Sequence, residues 1–317
     1  MHRRLEDGVC AAIRRISYIR WVGLNIPHGA AVRAVTAGSA ASVSAYSVLA
    51  DGLLVWCRSR QGEGFGRMAN AAKLAERVGW EMIWRRGDDH PRYGVSAAPD
   101  PAVAEWAKTI PAHGFVLDLG CGVGRHVVYL AERGFRMAGL DISPSGIRLT
   151  RDACSVRQFA FEGHVSDMNT LPWTDETFDA VLSISTIHHH QRQEIVRTLS
   201  AVRRVLKPGG LLLADFPCTD TPDYRLRRTQ VSAGQIVEVE PNTFVDRRPD
   251  LDDMDDGFLP HHYSDEADLR DLLASFEIIR LWTSLRQSKD GRGMRGKWIA
   301  SARRPRSDSG DKIPINP

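Results

Sequence analysis

The stretch Phe115-Val-Leu-Asp118-Leu-Gly120-Cys-Gly122-Val-Gly124-Arg125 decides the fold. Phe115 to Leu119 is apolar except for Asp118, the pattern of one short buried strand. Three glycines follow at alternate positions. The next segment, His126 to Arg133, has apolar residues at helical spacing and stops at Gly134. Strand, glycine turn and helix together build a seat for a nucleotide-like cofactor. Glycine reaches positive φ and lets a ligand approach the backbone with no Cβ in the way.

The spacing separates two cofactors that use similar turns. A dinucleotide turn places its third glycine five residues after the first. Here that position is Arg125, and the third glycine arrives one residue early. An acid, Asp118, stands two residues before the first glycine. The next strand, Phe135 to Leu140, ends in Asp141, close to the ~20 residues at which a ribose-binding acid is expected. This pattern resembles motif I of the class I S-adenosylmethionine (SAM)-dependent methyltransferases.

The resemblance covers residues 88–304. Gly163-His-Val-Ser-Asp167-Met168-Asn-Thr-Leu171-Pro172-Trp173 is similar to the segment in which an aspartate bonds the adenine amino group and its neighbour packs on the ring. Phe178 to Ile184 reads as the fourth strand, with Ser185 to His189 at its carboxyl end. Leu206 to Asp215, through Pro208-Gly209-Gly210, resembles the turn and fifth strand of these enzymes. The family implies a Rossmann-like, doubly wound α/β fold, its mostly parallel seven-stranded sheet carrying an antiparallel last strand. It implies SAM as cofactor, bound by Asp118, Gly120, Gly122, Gly124, Asp141, Ile142, Asp167, Met168 and Ser185.

The rest of the chain fits that frame. Strands and helices alternate, which calls for a parallel sheet with helices on both faces and a ligand at the carboxyl ends of the strands. Pro144 to Ala153 and Glu194 to Leu206 supply helices between strands. Residues 69–84 and 101–108 read as leading helices, which the resemblance places over the cofactor pocket; docking of Trp80 and Trp84 on the flank is the alternative. Ser264 to Leu273 has a cap residue and an acidic first turn, and Phe276–Trp282 with Gly296–Ser301 forms the closing antiparallel pair. A connection of residues 217–263 is too long for an ordinary loop and is expected to be a substrate insertion. Within it Gln235 to Val245 alternates like one strand, and Asp250 to Asp256 is an acidic run that reads as solvated loop.

Composition bounds the class. The chain has 317 residues, 43% hydrophobic and 26% charged, as a soluble globular protein does. No apolar run reaches the ~18 residues needed to span a bilayer. Five scattered cysteines lack C-x-x-C spacing, which argues against a zinc site and for the reducing cytoplasm. Cys121 reads as a packing residue in the glycine turn. Residues 1–67 hold nine Arg and no Lys against four acids. This basic extension reads as a targeting peptide, a nucleic-acid arm, a disordered segment, or sequence preceding a natural start at Met68; the last is preferred because helical spacing begins only after Met68. The tail after residue 304 has the composition of a disordered segment.

Catalysis is less constrained than cofactor binding. A sulfonium methyl is already activated, so alignment of acceptor, methyl carbon and sulfur does most of the work, and a base is needed only where the acceptor must lose a proton. His188, His189 and His190 follow the fourth strand, and His261 and His262 end the insertion. The preferred base is His262, then His189; the alternative is that these histidines are hydrogen-bonding wall residues. No metal is expected. The leading function is methyl transfer to a small-molecule acceptor, with Tyr224, Phe244, Phe258 and Tyr263 in the insertion suited to an organic molecule. The overall look is similar to tellurite-resistance and thiopurine methyltransferases. The segment through His188-His189 also resembles the tRNA wobble-uridine methyltransferases, but the arginine pair of those enzymes is replaced here by Gln191-Arg-Gln-Glu. With the basic arm removed, the domain is slightly acidic, which disfavours nucleic acid. A non-catalytic SAM-binding protein is the third reading.

Overall fold

A computed structural model describes residues 45–50, 53–58, 76–85, 98–246, 259–287 and 294–306. The chain divides into two compact units, 1–79 with 247–255, and 80–246 with 256–317. In the first, β1 (Ala45–Ala50) and β2 (Leu53–Arg58) form an antiparallel pair. The expectations for the rest of residues 1–67, for the acidic run, for Phe258 and for the tail beyond 306 lie outside the described residues, as does the first half of the helix expected over 69–84.

The second unit is a doubly wound α/β domain. Its elements run α1 (76–85, of which 80–85 belong here), α2 (Pro101–Trp106), β3 (Phe115–Leu119), α3 (Arg125–Ala131), β4 (Arg136–Asp141), α4 (Pro144–Val156), β5 (Phe161–Val165) and β6 (Phe178–Ser183). Then follow α5 (Arg192–Val205), β7 (Leu206–Pro217), α6 (Pro222–Ser232), β8 (Ile236–Glu240), β9 (Thr243–Asp246), β10 (His261–His262), α7 (Glu266–Leu272), β11 (Glu277–Gln287) and β12 (Met294–Arg303). The sheet order is β11-β12-β7-β6-β3-β4-β5, with β12 antiparallel to both neighbours and the remaining pairs parallel. The seven-stranded sheet with an antiparallel last strand is the one expected.

Alternation sets the two cores. Leu117, Leu119, Val181 and Phe216 face α5 and α7, while Val116, Ala180, Leu182 and Leu213 face α2 and α3. Asp118 shares the parity of Val116, and Asp215 that of Leu213, so both acids rise on the α2–α3 side. Strand order reverses between β3 and β6, and the crevice at their carboxyl ends is where such sheets take ligands.

Three elements differ from the sequence reading. Residues 235–245 are not one strand but a hairpin, β8 and β9 joined through Pro241 and Asn242, the latter at φ 61°. A two-residue turn preserves the alternation of its arms, so the pattern alone does not betray it. Helix α6 went unread because none of its residues is buried and there is no apolar stripe; Thr221, whose Oγ1 accepts from the Tyr224 N–H, and Pro222 start it. Helix α7 is capped by Asp265, whose side chain accepts from the Asp268 N–H, one residue later than expected.

Candidate functional site

The glycine turn leaves β3 and doubles back under β4. Gly120, Gly122 and Gly124 all have positive φ, at 76°, 52° and 85°. The Gly120 and Cys121 N–H groups both donate to the Leu140 carbonyl, at 2.7 and 3.1 Å. Asp141, 6% exposed at the end of β4, locks the turn: one carboxylate oxygen accepts from the Gly122 N–H at 2.8 Å, the other from the Ser143 N–H at 2.9 Å. Ile142, half-buried, follows it on the rim.

Asp118 is different. It is 2% exposed, and its Oδ2 has no hydrogen-bond partner among the described residues. Burial lifts its carboxyl to about 7, against the pull of Arg125 and with a further push from Asp141. Arg125, at the start of α3, faces Asp100, Asp118 and Asp215, while burial works against its charge. A buried carboxylate with an open oxygen beside a partly buried guanidinium is costly unless something completes it. An α-amino acid end, carrying one group of each charge, would do so, and the Asp141 carboxylate at the end of β4 suits the hydroxyls of a ribose. The residues present thus fit a cofactor with an amino-acid end and a ribose. The same burial, with the charges of Asp141 and Asp118, pushes the Cys121 thiol far above its ordinary value, so Cys121 is a packing residue and not a nucleophile.

The other cofactor residues named from sequence lie around this turn. Asp167, half-buried beyond β5, accepts from the Asn169 N–H at 2.8 Å, and half-buried Met168 packs against the core that includes Leu171 and Trp173. Ser185 follows β6 at φ 60°, a conformation that costs a non-glycine residue about 1–3 kcal/mol and is found where function or tight structure demands it. Its N–H donates to Asp215 at 2.6 Å, and its Oγ accepts from Lys297 at 2.6 Å. Lys297 also donates to Asp215 at 2.7 Å, so the ends of β6, β7 and β12 are tied at one point.

The histidines form a buried group. His189 packs edge-on to His261 at 4.6 Å and against His188 at 4.2 Å, and Trp80 of α1 meets His189 edge-on at 5.2 Å. His262 stands apart in its bonding. It is 2% exposed; Nδ1 and Thr243 Oγ1 are 2.7 Å apart, and Nε2 and Asp268 Oδ2 are 3.0 Å apart. Burial opposes the charge of Asp268, but hydrogen bonds from His262 and Arg192 hold its carboxyl at about 2. With both ring nitrogens bonded within the fold, His262 braces β9, β10 and α7, which is the hydrogen-bonding wall role named as the alternative to a base in the sequence reading. His262→Ala is therefore expected to cost about 1–3 kcal/mol of stability by removing one hydrogen-bond partner from each of Asp268 and Thr243, while lowering kcat less than tenfold. A hundredfold fall in kcat with an unchanged urea midpoint would restore it as the base.

Tyr224, Phe244 and Tyr263 pack on one another, with ring centroids 5.5–5.8 Å apart, and make the insertion's own small core. Sequence reasoning missed four residues at the site: Glu81, Arg125, Lys297 and Asp215. Only Arg125 carried a local signal, a cation immediately after the last glycine at a helix start. Among the described residues no group of three His, Cys, Asp or Glu is arranged to hold a metal, and no helix is long and apolar enough to cross a membrane.

Comparison with known proteins places these features in company. Residues 116–210 match the family described as methyltransferase domain. The chain is 40% identical over 115 residues to a fatty-acid O-methyltransferase of Mycolicibacterium smegmatis, covering 34% of this chain and 40% of that one. It is 34% identical over 156 residues to the tRNA (carboxymethyluridine(34)-5-O)-methyltransferase ALKBH8 of Macaca fascicularis, covering 47% and 22%. Across such relatives the chain spans between 20% and 60% of their own length. Its fold is similar to that of the Burkholderia thailandensis 1,6-didemethyltoxoflavin-N1-methyltransferase, solved with its substrate and S-adenosylhomocysteine, at a TM-score of 0.55 and 18% identity over 79% of this chain and 95% of that one.

Proposed function

We propose, from the premise that this chain belongs to the class I SAM-dependent methyltransferases, that it binds SAM and transfers the methyl group to a small-molecule acceptor. The observation that carries the cofactor assignment is the buried pair of acids on the glycine turn, with Asp118 Oδ2 open and the Arg125 guanidinium beside it. SAM, when bound, supplies a methyl group activated by the sulfonium. The chain's own residues do the remainder. Asp118 and Arg125 hold the amino-acid end, Asp141 holds the ribose with Ile142 beside it, Asp167 and Met168 take the adenine, and the Ser185 segment borders the reacting face. On this reading the catalytic domain covers residues 68–304, and the insertion over 217–263 selects the acceptor.

A small acceptor is favoured by enclosure. His188, His189, His190 and His261 are 3–8% exposed at the rim, and Trp80 covers His189. A polymer needs an open track lined with unpaired cations, whereas Arg286 and Lys297 here already face Asp100 and Asp215. His189 is the candidate to accept a proton where the acceptor has one to lose; otherwise orientation alone suffices. The buried free thiols Cys121, Cys154 and Cys218 suit the cytoplasm. The likeness to a fatty-acid methyltransferase supports the small-acceptor reading, and the likeness to a tRNA methyltransferase supports the alternative.

Two measurements test this. Calorimetry with S-adenosylhomocysteine should show binding, and Asp141→Ala should weaken it by about 10–100-fold, the scale of a lost charged hydrogen bond; an unaltered Kd refutes the ribose assignment. Methyl-labelled SAM added with the protein to a cell extract should label the small-molecule fraction. Label confined to RNA would overturn the acceptor class, and heat with NADH but none with SAM would overturn the cofactor.

A further inference from the structure

Lys297 stands where the crevice at the strand ends meets the insertion. Its register partner across the sheet is Pro217, the last residue of β7, and Asp215 is paired with Ile299. Opposed residues share a face and alternate residues return to it, so Lys297 rises on the side that carries Asp215 and Asp118. One residue earlier, the Gly296 carbonyl accepts from the Cys218 N–H at 3.0 Å, which ties this part of β12 to the start of the insertion.

The ammonium is only partly spent. Asp215 is 3% exposed, whereas the Lys297 side chain keeps 34% of its surface open. An ammonium has three N–H donors and no acceptor. Among the described residues, two of those donors go to Asp215 and Ser185. Ser185 is exposed, and because Lys297 can only donate to its Oγ, its own O–H proton is left to donate elsewhere. The Ser185 N–H holds the other oxygen of Asp215, which fixes this backbone at positive φ. The lip of the crevice therefore offers two donors from atoms 2.6 Å apart. Local charge points the same way. Arg125, Arg286 and Lys297 meet Asp100, Asp118 and Asp215, and burial lets Asp118 keep its proton up to about 7, so near neutrality the cations prevail.

We infer that Lys297 and Ser185 are the specificity-determining anchor for a carboxylate on the acceptor, so that the small molecules methylated by this chain are organic acids. The inference deepens the small-acceptor reading above and rests on it. A carboxylate has two adjacent oxygens that accept and none that donates, which matches this pair of donors; a neutral amide presents one such oxygen. A hydrogen bond from an ammonium to a carboxylate is also roughly twice as strong as one between neutral groups. Asp215 fixes where both donors stand. One open ammonium proton takes one anionic group, which is not the row of contacts that a polyphosphate needs.

Ligand-observed NMR titrations on the full chain test this with benzoate and benzamide, two probes of one shape that differ in charge. Each is titrated with and without S-adenosylhomocysteine. Benzoate is expected to bind about tenfold or more tighter than benzamide, the scale of one charge-assisted hydrogen bond, and to stay bound when S-adenosylhomocysteine is added. Lys297→Gln should bring the two affinities together, and Ser185→Ala should lower their ratio by about threefold or more. A purely structural Lys297 would weaken both probes alike in K297Q and keep the ratio, and that result overturns the inference. So does a wild type that fails to bind benzoate or to prefer it. Displacement of benzoate by S-adenosylhomocysteine overturns it as well, because the anion would then sit at Arg125. Should K297Q misfold by circular dichroism, S185A decides, since it leaves Lys297 and Asp215 paired; an unchanged ratio there overturns the anchor. Calorimetry with S-adenosylhomocysteine keeps the two readings apart: no heat, with benzoate still preferred, sinks the SAM assignment and leaves the carboxylate seat standing.

Discussion

Replacing Asp118 by asparagine is expected to raise the melting temperature of the ligand-free protein at pH 8 and to remove most of its affinity for SAM. The two effects have one source. Burial carries the Asp118 carboxyl from 3.8 to about 7, so the folded protein binds this proton more tightly than the unfolded chain does. The penalty for ionising it is absent below about pH 4, grows as pH rises, and is complete above about 7. A gap of about three pH units corresponds to about 4 kcal/mol, and an amide that is itself buried would recover roughly 1–3 kcal/mol of it. For a domain of this size that is a rise of several degrees, at about 2–4 °C per kcal/mol. The gain should be present at pH 8 and vanish at pH 4, as thermal scans across that window would show. Equal melting curves at pH 8 would mean that Asp118 is not held as a strained anion. SAM affinity should fall by about 10–100-fold through loss of the partner for the α-amino group. In wild type, affinity should climb as pH passes upward through 7, and in the variant that climb should be missing.

Gly120→Ala should be the more damaging change to the fold. Its φ of 76° is a conformation that costs an alanine about 1–2 kcal/mol. The new methyl group would also land 2.1 Å from Thr186 Cγ2 and 2.8 Å from Thr186 Cβ, where the loop after β6 crosses the turn. Relief requires Thr186 to withdraw or the turn to lift, and lifting breaks the bonds from Gly120 and Cys121 to Leu140. Overpacking of this kind adds about 1–3 kcal/mol, so a loss of about 2–5 kcal/mol in urea unfolding is expected. Thr186→Ala in the same chain should return the steric share and leave the backbone share. A single variant within 0.5 kcal/mol of wild type, a limit set by ordinary surface substitutions of about that size, would contradict this geometry.

What could be read from sequence divides along a physical line. The strand at Phe115–Leu119, the glycine turn, Asp141 and the antiparallel closing pair were legible because each is a local pattern: apolar run, positive φ, acid at a strand end. Asp118 was legible as a position but not as an unsatisfied buried charge, because burial is a property of the packed sheet. His262 shows the limit more sharply. Its placement after the insertion suggested a base, but Thr243 and Asp268 that occupy its nitrogens lie 19 and 6 residues away and become neighbours only when β9, β10 and α7 meet. Lys297 and Glu81 were invisible for the same reason; their partners are 112 and 62 residues distant. Helix α6 escaped because a helix with no buried face writes no apolar period into the chain.

The position of β12 has a bearing on how the protein is made. It is the last strand described, yet it lies inside the sheet, between β7 and β11. Until residues 294–303 have left the ribosome, β7 presents an unpaired flank carrying Leu211, Leu213 and Phe216, a template for association with other nascent chains. Lys297 reaches Asp215 and Ser185 only once that gap is filled. The ligand seat on the α2–α3 side can thus take its final form only after residues 294–303 have emerged, and a growing chain halted before that point would expose an adhesive edge in place of a finished site.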